Sequence, residues 1–162
     1  MTLSRSKLLG FALVAAAILL AVVLWPRRSP ASPDELIRQT VIKMARAAER
    51  KDVGYVMEPV SERFTFEEGG KRELHQLLAA QLLRGNWLRV FIVDMSVAVT
   101  SATTASFSGK LIFGRSRAET LSQLAKESEI SSYIIEAKLE KERDEWKFVS
   151  ARRRPFNPAD YL

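Results

Sequence analysis

Hydrophobic spacing changes once along this chain, at Leu88. Before it, apolar residues recur at helical intervals; after it they alternate, so the folded part must build helices first and strands afterwards. The first helical stretch, "SPDELIRQTVIKMARAAERKD", begins with Ser32 as an N-cap, Pro33 at the first helical position and Asp34 and Glu35 in the first turn. Ile37, Val41, Met44 and Ala48 then share one face. A short helix over "VGYVMEP" ends at Pro59, and "SERFTFEEGG" reads as a brief strand stopped by Gly69 and Gly70. A third helix, "KRELHQLLAAQLLRGN", puts Leu74, Leu77, Leu78, Gln81 and Leu82 on a face.

Four strands follow: "LRVFIVDMSVAVT", "TASFSGKLIF", "SSYIIEAKLEKER" and "EWKFVSARRR". In the second, Phe107, Leu111 and Phe113 alternate with Ser106, Ser108, Lys110 and Ile112, which predicts one wet face. Asp144 marks a tight hairpin, whereas "GRSRAETLSQLAKESE" is a longer connection with room for a helical turn or two. The class is α+β: a curved antiparallel sheet and about three helices.

Ahead of this domain lies "LLGFALVAAAILLAVVLW", the 18 residues from Leu8 to Trp25 without a charge. As a helix they reach about 27 Å, close to the hydrocarbon thickness of a bilayer. A cleaved signal has a shorter apolar core and a small-residue cleavage site. Here Trp25, Arg27 and Arg28 follow, residues suited to the interface and headgroup layer, so the expectation is an uncleaved single-pass anchor over 8–25, with a cleaved signal as the alternative. The flanks balance, Arg5 and Lys7 before and Arg27 and Arg28 after; the short basic tail 1–7 favours a domain outside the inner (plasma) membrane. Residues 26–33, rich in Pro and Ser, read as a linker, 34–156 as the domain and 157–162 as a tail.

The formal charge of +6 comes from 25 Lys plus Arg against 19 Asp plus Glu. Four of the cations flank the apolar run, leaving 21 basic and 19 acidic groups, net +2, in residues 32–162. That balance does not make a polynucleotide-binding face. One basic patch stands out, Arg152, Arg153 and Arg154, which reads as a solvated strand end or as a contact for anionic headgroups or an acidic partner. A chain with one His and no Cys has no conventional zinc set and no thiol nucleophile, and no phosphate loop, nucleophile elbow or dinucleotide fingerprint occurs. No metal or cofactor is expected.

Two phrases, "AERKDVGYVMEPVSERFTF" and "KERDEWKFVSARRRP", together with the order of elements, resemble the nuclear transport factor 2-like superfamily, the cystatin-like cone fold that includes the SnoaL-like cyclases and ketosteroid isomerase. The resemblance covers roughly Pro33 to Phe156. It implies a curved sheet wrapped around the helices, an apolar cavity at the wide end, and dimerisation through the outer sheet face. In isomerase-like members a carboxylate in an apolar pocket acts as base while acids or phenols hold an oxyanion. The corresponding candidates here are Asp94, His75, Tyr55 and Tyr133. Asp94 reads as sharing a face with Ile92 and Ser96, away from Phe91, Val93 and Met95. Two functions are therefore expected: a membrane-anchored, non-enzymatic domain that binds a small apolar ligand or assembles with itself or an envelope protein, or a small pocket enzyme (isomerase, dehydratase or cyclase-like).

Overall fold

A computed structural model describes residues 31–67, 69–84, 88–115, 117–124, 126 and 130–161. The chain divides into two units, Met1–Ala31 and Ser32–Leu162, and the second carries every described element. Among the described residues no helix is long and apolar enough to cross a membrane. The expected span over 8–25, with its flanks Arg5, Lys7, Trp25, Arg27 and Arg28, lies outside them.

Helix α1 spans Pro33–Glu49, with Asp34 and Glu35 in its first turn and Arg46 in its last, each complementing the helix dipole. Ser32 holds the N-cap position, although its side chain accepts no capping bond. The short α2, Val53–Met57, starts where Asp52 Oδ1 accepts the Tyr55 N–H at 3.0 Å. Strand β1 covers Val60–Phe66. Gly69 and Gly70 do more than stop it: they turn back as a two-residue strand β2, pairing Phe66 with Gly69 and Thr65 with Gly70. Gly69 sits at φ 141°, a conformation that favours glycine, and an added Cβ would press on Glu73. Glu73 matters there because its Oε2 accepts the Gly70 N–H at 3.0 Å and so caps α3, Lys71–Leu83.

The remaining elements are β3 Arg89–Val99, β4 Thr104–Gly114, the single helical turn α4 Leu121–Leu124, β5 Ile130–Glu142, β6 Glu145–Pro155 and a closing 3-10 turn, Pro158–Asp160. Arg143 and Asp144, at φ 47° and 68°, form the hairpin between β5 and β6. The sheet runs β2-β1-β6-β5-β4-β3. The sequence predicts a wholly antiparallel sheet, and the structure corrects it: β1 pairs parallel with β6, because the chain returns to its first strand only after the meander β3–β6 is complete.

Two departures from strict alternation shape this sheet. A bulge in β3 sets Ile92 opposite Leu111 but Asp94 opposite Lys110. Ile92 and Asp94 therefore lie on opposite faces, which corrects the alternation read from sequence, since the extra residue shifts every later side chain by one. A second irregularity falls between Lys138 and Leu139. Such bulges bend and twist a sheet, and this one is curved.

The inner face carries the main core: Ile37, Val41, Phe64, Phe107, Leu139 and Phe148 are all less than a tenth exposed. Helix α1 is tied to the edge strand β3 at two points. Arg38 Nη1 donates to the Met95 carbonyl at 2.9 Å, and Glu49 Oε1 accepts the Val90 N–H at 3.0 Å. The outer face is not wet throughout. Ile112 and Leu124 are fully buried there in a second cluster with Ala118, Phe91, Val93 and Tyr161, because the connection after β4 folds back over the sheet. Leu124 lies so close to Gly114 that a Cβ on the glycine would overlap it.

Candidate functional site

Between the helices and the inner sheet face lies a cavity of about 680 Å³. Its size falls within the roughly 300 to 1,000 Å³ typical of small-molecule sites. One wall is α1, through Val41, Met44, Ala45 and Ala48; the opposite helical wall is α3, through Leu74, Leu77, Leu78 and Leu82. Small residues at 45 and 48 leave room where larger ones would close it. The sheet contributes Phe107, Leu111, Phe113, Tyr133, Ile135 and Phe148. Helical spacing in α1 and α3, and alternation in β4 to β6, thus turn apolar side chains into one space.

The lining is interrupted by few charges. Among the described residues, the charged residues along it are Glu67, Arg115, Arg152 and Arg153. Arg115 clasps the C-terminal turn of α3: its Nη2 donates to the Gln81 carbonyl at 2.8 Å and its Nη1 to the Arg84 carbonyl. Those carbonyls lack partners within the helix, so the cation both satisfies them and opposes the negative end of the dipole. Arg153 lies across β6 from Ile135, and its guanidinium carbon is 5.7 Å from the centre of the Tyr133 ring. That distance is a cation–π contact. Phe113 extends the aromatic surface, 6.2 Å from Tyr133.

The four candidates from sequence are not brought together. Tyr133 lines the cavity. Asp94 stands on the other face of the sheet, its side chain 60% exposed and 3.6 Å from Lys110 Nζ. Lys110 in turn donates to Tyr161 Oη at 3.0 Å, and that bond first, then the Asp94 carboxylate, raises its pKa above the usual lysine value. His75 is exposed on α3. Tyr55 is 39% exposed on α2. Neither His75 nor Tyr55 is part of the lining described above. The three arginines are divided by strand alternation: Arg153 turns inward, while Arg154 donates to Glu136 Oε1 at 3.1 Å on the exposed side. Arg152 borders both the cavity and a second depression of about 720 Å³ on the outer face, floored by Ser96, Ala98, Ser106 and Ser108. Among the described residues no three His, Cys, Asp or Glu side chains converge as a metal site.

Sequence reasoning missed Glu67 and Arg115. Each follows a strand end, where nothing local signals an inward direction, and only the sheet order brings them to the same cavity.

No family model and no curated protein sequence matches the chain. Solved structures do. A nuclear transport factor 2-like protein of unknown function from Pseudomonas putida superposes with a TM-score of 0.64 at 12% identity, over 80% of this chain and 91% of that one. A candidate dehydratase of the same fold family from Streptomyces avermitilis gives 0.62 at 14% identity, over 76% and 96%. A candidate scytalone dehydratase from Novosphingobium aromaticivorans gives 0.62 at 11% identity, over 75% and 83%. At such identities the likeness is one of fold, and the fold of this chain is the nuclear transport factor 2-like, cystatin-like α+β cone.

Proposed function

We propose that this chain is a non-enzymatic binding domain that takes an apolar ligand into its inner cavity, and that residues 8–25 hold it at a membrane with the domain on the extracytoplasmic side. The carrying observation is the cavity itself, walled by leucine, valine and phenylalanine and open enough for a small molecule. Acid–base catalysis needs a carboxylate or imidazole within reach of the reacting bond. Of the acid–base candidates read from sequence, Asp94 and His75 stand elsewhere, and Glu67 is the carboxylate residue on the lining among the described residues. The anchor rests on the length and flanks of the apolar run.

The test is retention. Full-length chain is purified from a bacterial host beside an Ala45→Phe variant, which fills the space next to α1, and bound small molecules are identified by mass spectrometry. An apolar compound carried by the wild type and absent from the variant supports the proposal. Equal content in both overturns it, since lipid around residues 8–25 would be common to the two. Membrane fractionation and protease treatment of spheroplasts test the location: a full-length, membrane-bound chain cut from outside is expected.

A second reading, a small pocket enzyme, is favoured by one observation: Tyr133 and Glu67 put a phenol and a carboxylate on the same cavity. Were it correct, Tyr133→Phe would leave the co-purified compound bound but unconverted.

A further inference from the structure

Helix α1 turns Ile37 and Val41 toward the core and leaves its opposite face exposed. Along that outer face Gln39, Lys43, Arg46 and, at the C-cap, Arg50 follow at intervals of four, three and four residues, so they stand in one stripe. The acids of the helix are engaged with other groups. Asp34 lies 3.9 Å from Arg38, Glu35 accepts from Gln39 Nε2 at 2.9 Å, and Glu49 accepts the Val90 N–H. Among the described residues the side chains of Lys43, Arg46 and Arg50 make no ion pair or hydrogen bond. Apolar groups border the stripe: Leu36 and Ile42, 45% and 38% exposed, lie three residues to either side of Gln39.

We propose that α1 rests this outer face on an anionic lipid surface, with Lys43, Arg46 and Arg50 among the headgroup phosphates and Leu36 and Ile42 beside them. This rests on the reading of residues 8–25 as a membrane anchor, and adds which side of the domain meets the bilayer. Residues 26–31 alone separate the apolar run from Ser32. A connection of that length reaches at most about 25 Å when fully extended, so α1, the element that follows it, is the one held within reach of the headgroups. Charge decides the partner: exposed cations beside an anionic surface gain attraction that a zwitterionic one does not offer. The same cations would suit an acidic protein, but the short connection presents lipid at a high effective concentration without a second chain. Of the five large apolar side chains exposed among the described residues, four (Leu36, Ile42, Tyr55 and Leu83) are on the helices, which also favours this side over the sheet.

The experiment uses the full chain, which has no cysteine, so one introduced thiol carries one fluorophore. Gln39→Cys places it within the stripe, and Ser106→Cys places it on the outer sheet face, away from the helices. Each labelled chain is reconstituted into nanodiscs of phosphatidylcholine, alone or with about one third phosphatidylglycerol, and quenching by a lipid with a nitroxide on its headgroup is read. With phosphatidylglycerol present, the label at 39 is expected to be quenched and the label at 106 is not. Each cation at an anionic surface shifts the docked-to-free ratio about fivefold, so Lys43→Gln, Arg46→Gln and Arg50→Gln together are expected to lower it about a hundredfold and abolish quenching at 39. Raising salt to about 0.5 M should weaken quenching of the unsubstituted stripe, a result that needs no variant to fold. Equal quenching at 39 in both lipid compositions, or indifference to salt, overturns the proposal. Equal quenching at 39 and 106 overturns the choice of face. No quenching at 39 in chains retained by the nanodiscs overturns docking, leaves the anchor standing and assigns the stripe to a protein partner. A chain that the nanodiscs do not retain overturns the anchor and the proposal with it.

Discussion

Single carboxylates in this domain are placed where protonation should be felt. Glu142 accepts from Arg63 Nη2 at 2.7 Å and from Ser61 Oγ at 2.8 Å, which holds its pKa below the ordinary glutamate value of 4.5, Arg63 being the larger cause. Glu73 is lowered as well, chiefly by the Gly70 N–H. A carboxyl whose folded pKa is depressed binds its proton more readily in the unfolded chain, so its contribution is complete above the unfolded value and is lost as pH falls through the folded one. Stability should therefore drop below about pH 5, measured as the urea midpoint at successive pH values. Glu142→Gln should flatten that dependence. Curves for variant and wild type that differ by a constant offset at every pH would show that Glu142 does not contribute. Some of this was visible from sequence and some was not. Tyr133 sits on a strand whose alternation already pointed it inward, whereas the Glu142–Arg63 pair joins residues 79 positions apart and has no local signature.

At the scale of elements, the segment between β4 and β5 is the one whose role changes most on folding. Its composition reads as a connection, yet Leu124 is fully buried against Gly114 beneath the outer face of β4. Truncating a side chain so enclosed costs the transfer of its methyl groups and a cavity besides, about 2 to 5 kcal/mol. Leu124→Ala is expected to lose that much by urea unfolding, and to open the connection to protease before the rest of the domain unfolds. A cost under about 1 kcal/mol would mean the segment is an ordinary loop. The elements that periodicity predicted well, α1, α3 and the hairpin at Asp144, are those whose form is decided by neighbours in sequence. The bulge that separates Ile92 from Asp94 is decided by the partner strand, and strict alternation through "FIVDMS" could not register it.

For the whole molecule, the division at Ser32 predicts that removing residues 1–31 leaves a folded domain. Its net charge falls from +6 to +2, because the removed part carries four cations and no anion. Cooperative urea unfolding, with a slope appropriate to about 130 residues, is the expected result. A molten or aggregated product would mean that the first unit contributes to the core. The α+β class was legible because helical and alternating periods occupy separate halves of the chain. The cavity's charges were not, since Glu67, Arg115 and Arg153 come from three separate stretches and meet only through the sheet order.

That order also dictates when the domain can form. Strand β6 lies between β1 and β5, so the first long strand made waits for the last. A ribosome that has reached Glu142 has produced both future neighbours of β6 but not the strand that joins them, and Val60–Phe66 still exposes an edge. Folding is therefore postponed to the final stretch of translation, and a message truncated before codon 145 yields a chain with two unsatisfied strands rather than a smaller domain.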